Sequence, residues 1–134
     1  MREFRLQIVT PDGEIYSGAA ESVKVKCDGG DVEIMAGHED FFASLGIGEA
    51  RLKLNDGERF ASAAGGFISV KSGAVKIVST TFEFSEDIDL KRAEAARERA
   101  EEKMKQASDE RSFKIAAAKL ARALNRINVK TRGL

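Results

Sequence analysis

Asp89 and Arg92 stand three residues apart in the stretch Ile88-Asp89-Leu90-Lys91-Arg92-Ala93, and Arg122 and Arg126 stand one helical turn apart farther along the chain. Guanidinium groups suit phosphate oxygens, N–H groups at a helix start attract anions, and a carboxylate accepts from amino groups. The chemistry within reach is the binding of a charged ligand. The same six residues also read as an ordinary helix start, with Asp89 as N-cap and Ile88 and Ala93 as the two halves of a hydrophobic staple. Capping leaves Arg92 without a role, because a capping box would place Glu or Gln there. Both readings stay open. Catalysis is not expected, because the chain has no Gly-rich phosphate loop, no nucleophile elbow and no carboxylate pair of evident role. His38 and Cys27, one of each type, make no spaced metal-ligand set.

These residues sit in the second of two segments with different patterning, joined near residues 84 to 88. Eleven of the 12 glycines, the single proline and seven of the 8 phenylalanines precede the junction. Residues 1–84 carry 9 Lys+Arg against 13 Asp+Glu and residues 85–134 carry 13 against 9, so the formal net charge of +0 conceals a balance of −4 followed by +4. A neutral total argues against general nucleic-acid binding, while a basic tail suits an acidic surface or an anionic ligand. With 134 residues, 43% hydrophobic and 33% charged, the chain is globular and holds a small core. One cysteine forms no internal disulfide, which fits a reducing compartment. The N-terminal residues lack the apolar run of a signal peptide, and no segment approaches the roughly 20 apolar residues of a membrane span, so membrane association would go through a partner.

The first segment alternates. Phe4, Leu6 and Ile8 recur with period 2, Thr10-Pro11-Asp12-Gly13-Glu14 supplies a tight turn, and further alternating runs are punctuated by Asp28-Gly29-Gly30, Asn55-Asp56-Gly57 and Ser72-Gly73. Seven to ten short strands at this spacing predict an antiparallel β-sandwich or barrel, and the absence of intervening helices excludes a parallel sheet. Within this segment the loop from Gly29 to Phe42 holds His38, Glu39 and Asp40 beside Phe41-Phe42. The two rings either form an exposed apolar patch for a partner or fill the core.

The second segment is helical. Ala93, Ala96, Ala100, Met104 and Ala107 recur at spacings of three and four, Ser108-Asp109 can cap a new helix, and Phe113, Ala116, Ala117, Leu120, Leu124 and Ile127 repeat the spacing. Two helices of this kind with a short connection predict an antiparallel hairpin whose alanines let the axes approach closely. At roughly 25 cal/mol per Å² of apolar surface, an alanine seam is marginal without further packing, which makes the hairpin a candidate movable element. The fold class is therefore β plus α: an N-terminal antiparallel β-sandwich over residues 1–84 and a C-terminal antiparallel two-helix hairpin over residues 85–134.

Several strings taken in order resemble the ε subunit of the bacterial rotary, F-type ATP synthase: TPDGEIYSG (10–18), DGGDVEIMAGH (28–38), GIGEARLK (46–53), AGGFISV (64–70) and a terminal hairpin opened by IDLKRA (88–93). Each string alone is a turn flanked by strands; their order along the whole chain is specific. The resemblance implies a non-catalytic rotor component of the central stalk. In that family the β-sandwich docks on the γ shaft and the membrane c-ring, coupling ion flow to ATP synthesis at the α/β hexamer, and the hairpin folds down or extends to inhibit ATP hydrolysis. It implies no required cofactor, with ATP as a regulatory ligand, because Ile88-Asp89-Leu90-Lys91-Arg92-Ala93 is similar to the ATP-binding motif of some bacterial members. Carried over, the ATP site comprises Glu83, Ile88, Asp89, Arg92, Ala93, Arg99, Arg122 and Arg126. The rotor interface comprises Asp31, Glu33, His38, Phe41 and Phe42. The basic face of the second helix, with Lys114, Lys119, Arg122, Arg126 and Lys130, reads as a solvated surface or as a contact for an acidic loop of a catalytic β subunit. The expected location is the cytoplasmic face of the bacterial cell membrane, peripheral, since a mitochondrial counterpart would begin with a transit segment. The competing function class is a stand-alone nucleotide-binding or adaptor module whose hairpin is a fixed lid, monomeric and without affinity for γ.

Overall fold

The computed structural model describes residues 2–132 and resolves into two compact units that meet between Phe84 and Ser85. Among the described residues there are ten strands, one 3₁₀ turn and two α-helices. The strands are β1 (Phe4–Thr10), β2 (Gly13–Ala20), β3 (Ser22–Cys27), β4 (Gly30–Met35), β5 (Phe41–Ser44), β6 (Gly48–Leu54), β7 (Gly57–Ala64), β8 (Phe67–Lys71), β9 (Ala74–Val78) and β10 (Thr81–Phe84). They form two five-stranded sheets, ordered β2-β1-β9-β8-β5 and β10-β7-β6-β3-β4.

Alternation decides which side chains face inward. Leu6, Ile8, Ile68, Val70, Val75 and Ile77 of the first sheet join Val23, Val25, Ile34, Leu52, Ala61 and Phe82 of the second in one buried cluster. Their neighbours along each strand, such as Arg5, Gln7, Lys24 and Lys76, point to the other face. The tight connections follow turn chemistry. At the β8–β9 hairpin Ser72 (φ 51°) and Gly73 (φ 81°) both take positive φ, the requirement of a two-residue type I′ turn.

The expected sandwich is present, with one correction to its pairing. Adjacent strands are antiparallel except β1 and β9, which run parallel with Leu6 opposite Val75 and Ile8 opposite Ile77. A parallel pair needs a long crossover, and here the intervening strands of both sheets supply it in place of a helix. The absence of helices therefore did not exclude parallel pairing.

One corner is especially constrained. Gly65 (φ 73°) and Gly66 (φ 96°) carry the chain from β7 in one sheet to β8 in the other. A Cβ on Gly66 would lie 1.9 Å from the carbonyl oxygen of Val78. Buried Ser79 fixes the same corner, with its Oγ 3.0 Å from Gly65 O and 2.7 Å from Thr81 O, and its N–H donating to Val9 O at 3.0 Å. Leu45 N–H donates to Gly66 O at 2.9 Å.

In the second unit, α1 (Leu90–Gln106) and α2 (Glu110–Thr131) follow the 3₁₀ turn Ser85–Asp87. Ala93 and Ala100 are buried on α1, and Ala116, Ala123 and Val129 on α2. The alanine seam is as expected, but the phase of α2 is shifted. Phe113 and Leu124, expected inward, are 46% and 40% exposed. Close axial approach favours the smallest residues at the contact, so Ala116 and Ala123, seven apart, take the seam and the larger side chains flank it.

Gly66→Ala should destabilise the sandwich by about 3 kcal/mol, from backbone strain and the Val78 overlap together. Gly73→Ala, where an added Cβ meets nothing within 4 Å, should cost only about 1 kcal/mol of strain. Urea unfolding followed by circular dichroism reads the contrast; equal midpoints for the two variants would contradict the assigned role of the corner.

Candidate functional site

Asp89 closes the start of α1. Its backbone is extended (φ −88°, ψ 107°), and its Oδ1 accepts from the Arg92 N–H at 3.1 Å. Ile88 and Ala93 are both buried, the positions that a staple requires. Capping is thus a real role of Asp89, and it leaves the Arg92 side chain exposed rather than engaged in the cap. Asp109 repeats the device on α2, accepting from Ser112 N–H at 2.7 Å. These N–H bonds hold the Asp109 carboxyl below its ordinary value.

Two contacts fix the register of the helices. Lys130 Nζ donates to Ser85 O at 3.0 Å at one end, and Lys119 meets Lys103 at the other. The helices are therefore antiparallel, and Arg122 and Arg126 lie alongside the part of α1 that holds Arg92 and Arg99. Arg92 and Arg99 are exposed, and Arg122 and Arg126 are half-buried. The four guanidinium groups are thus spread along the hairpin, with only Arg92 in the first turn of α1. Glu83 lies in the sandwich unit, where it pairs with Ser62 across β10 and β7.

The rotor candidates all lie on the sandwich. Asp31 sits 3.9 Å from Lys24 Nζ, and Glu33 accepts from Arg51, which also meets Glu58 at 3.5 Å. Both carboxylates are thus part of an exposed charge ladder. His38 Nδ1 lies 2.7 Å from Glu39 O, and its ring meets Phe41 edge-on with centroids 5.7 Å apart. Asp40 Oδ1 accepts from Ser72 N–H at 3.0 Å, tying this loop to the β8–β9 turn. The two adjacent rings divide the alternatives between them. Phe41 packs against the core opposite Val70, whereas Phe42 is 65% exposed and stacks on Phe67 at 5.1 Å.

Register also reveals an apolar strip that the sequence reading missed. Val9 pairs with Val78, Val78 with Phe67, and Phe67 stacks on Phe42, all on the face turned away from the core. The signal was parity: each of these residues is an apolar group at a position where alternation calls for a polar one. Cys27 adds no chemistry. Burial, then Asp28 and Asp31 nearby, push its thiol pKa up, away from the reactive thiolate. Among the described residues no group of three or more His, Cys, Asp or Glu could hold a metal, and no helix is long and apolar enough to cross a membrane.

Comparison with known proteins bears on the whole chain. Residues 3–85 match the family model described as ATP synthase, Delta/Epsilon chain, beta-sandwich domain, and residues 86–131 match its long alpha-helix domain. The chain belongs to the ATP synthase delta/epsilon family. Curated epsilon chains agree across the full length: 40% identity over 129 residues in Bacillus subtilis and 39% in Bacillus velezensis, each covering 96% of this chain and 98% of the relative. The epsilon chain of Caldicellulosiruptor saccharolyticus is 38% identical over 96% of this chain and 94% of its own. Among solved structures, a chain of the Euglena gracilis mitochondrial ATP synthase assembly with OSCP, F1 and c-ring superposes with a TM-score of 0.77 at 24% identity, over 89% of this chain and 76% of that one. A chain of the Tetrahymena thermophila central stalk and c-ring gives 0.60 at 14% identity, over 98% and 96%. Those two structures bear on the fold. The family and its curated epsilon chains make this an epsilon subunit of the F-type ATP synthase, a non-catalytic part of a membrane-associated complex.

Asp89→Ala should cost the hairpin about 1 kcal/mol through the lost cap. For Asp109 the sign follows from its lowered pKa: the cap contributes fully above the ordinary value of 3.8 and is lost as pH falls through the lower folded value. Asp109→Asn should flatten that acid limb in the helical circular-dichroism signal. An unchanged limb would mean that Asp109 does not carry it.

Proposed function

We propose that this epsilon subunit works as a central-stalk rotor component, coupling ion flow through the membrane ring to ATP synthesis, and that its hairpin restrains ATP hydrolysis under the control of ATP itself. The observation that carries the regulatory reading is the hairpin register. Arg122 and Arg126 on α2 run alongside the α1 stretch that holds Arg92 and Arg99, and Arg92 is left exposed by a cap that engages only its backbone. A nucleotide there would have guanidinium groups for its phosphates and the Asp89 carboxylate for its adenine amino group. Ile88, Ala93 and Arg99 complete the proposed site on the hairpin, and no metal or other cofactor is required.

Ligand control follows from linkage. ATP that binds the closed hairpin and not an extended one shifts the population toward the closed state by its differential affinity. The alanine seam makes this shift attainable, because little apolar area must be uncovered on opening. Family membership supports γ, the c-ring and the α/β hexamer as partners, and the names of the structural neighbours include F1, c-ring and central stalk. On the sandwich, Asp31, Glu33, His38 and the Phe42 side of the first sheet are the proposed rotor contacts, with Phe41 supporting them from the core. The proposed location is the cytoplasmic face of the bacterial cell membrane, reached through the complex.

Calorimetry of the full chain with ATP tests the sensor. Saturable heat is expected, abolished in an Arg92→Ala, Arg126→Ala double variant that keeps its helical signal. Identical traces for the two proteins would remove ATP from the mechanism. In the assembled complex, ending the chain at Phe84 should raise ATP hydrolysis while rotor assembly persists; unchanged hydrolysis would sink the inhibitory role of the hairpin.

A further inference from the structure

The turn of the hairpin, at the opposite end from the proposed ATP site, forms an open hollow of about 320 Å³ at the surface. Residues of both helices line it: Lys103 and Gln106 from α1, Ser108 from the connection, and Ser112, Ile115 and Lys119 from α2. This volume is near the lower end of the roughly 300–1,000 Å³ common for small-molecule sites. The lining contains two ammonium groups and two hydroxyls, and no carboxylate.

The charges around the hollow do not balance the lysines. Lys103 and Lys119 come close enough to interact directly, and Arg122 adds positive charge from the next turn of α2. The Lys103 ammonium beside it, with Arg122 farther off, holds the Lys119 pKa below the ordinary lysine value. The neighbouring carboxylates each hold a partner, two of them on residues of the lining itself. Asp109 caps α2 through Ser112 N–H, Glu110 pairs with Lys114 at 3.0 Å, and Glu102 accepts from Gln106 at 3.0 Å. Two like charges brought together at a seam gain most from an anion that bridges them, and a dianion gains more than a monovalent carboxylate.

We propose that this hollow is a second anion site of the hairpin, taking a phosphoryl dianion between the Lys103 and Lys119 ammonium groups with the Ser108 and Ser112 hydroxyls as further donors. The anion replaces a like-charge contact across the helix seam with two opposite-charge ones, so it ties the turn end of the hairpin together. The site shares no residue with the proposed ATP site and goes beyond that reading.

The test is a titration of the isotope-labelled full chain with inorganic phosphate at neutral pH, ionic strength being held constant with sodium chloride. Saturable movement of the Ser108 and Ser112 amide signals and of the Lys103 and Lys119 side-chain signals is expected. Lys103→Gln and Lys119→Gln, each checked for retained helical signal, should weaken binding by about tenfold or more. The Arg92→Ala, Arg126→Ala variant should bind phosphate as the unaltered chain does, which separates this site from the ATP reading. Methyl phosphate serves as the second probe: tighter binding than inorganic phosphate assigns the site to an esterified phosphoryl group, and weaker binding to the free ion. Signals that drift linearly with both probes, as chloride alone would produce, or Lys→Gln variants that bind like the unaltered chain, would overturn the proposal.

Discussion

The sandwich depends on one close passage of backbone past backbone. Gly66 runs so near the Val78 carbonyl that no side chain fits, and the Gly65–Gly66 pair changes sheets at that point. Every hydrogen bond around the corner has a consequence for strand order. Leu45 N–H on Gly66 O holds the end of β5 beside the start of β8, while Ser79 N–H on Val9 O continues the parallel β1–β9 ladder. Two sheets related in this way share one core, and the inward side chains of both become mutually dependent. The charge ladder of Glu33, Arg51 and Glu58 and the apolar strip ending at Phe42 are both displayed on this frame.

The hairpin rests on different physics. Its seam is alanine, its larger apolar groups Phe113 and Leu124 are substantially exposed, and its helix starts are fixed by two aspartate caps. Caps specify where a helix begins without committing it to a neighbour, so each helix can persist while the seam opens. Basic residues are then placed along both helices, where their mutual repulsion offsets part of the seam's modest gain. An anion changes that balance more than it would change a leucine-rich pair.

Much of this was legible in the sequence, and the failures have definite causes. Alternation in Phe4, Leu6, Ile8 and in Val75, Ile77, with turns between, gave away strands whose inward faces the structure reproduces. The parallel β1–β9 pairing was not legible, because strand order is decided by contacts between residues some 70 positions apart, such as Leu6 and Val75. Phe41 and Phe42 could not be told apart as adjacent identical residues; pairing of Phe41 with inward Val70 decides them. On α2 the hydrophobic pattern placed Ala116 inward as found, but it also put Phe113 and Leu124 inside, where close axial approach selected Ala123. Asp89 as a cap could be read from six residues, since a cap is local chemistry. The meeting of Lys103 and Lys119 required the register of the whole hairpin.

The open sheets leave four border strands, β2, β5, β10 and β4. Border strands present unpaired backbone groups that invite another chain to add on, the first step of many misassembly routes. Two of the four, β5 and β10, are only four residues long. So short a border offers a stray strand few ladder bonds, while a shaped partner can still engage the side chains displayed beside it. Brevity at the border thereby separates docking from aggregation.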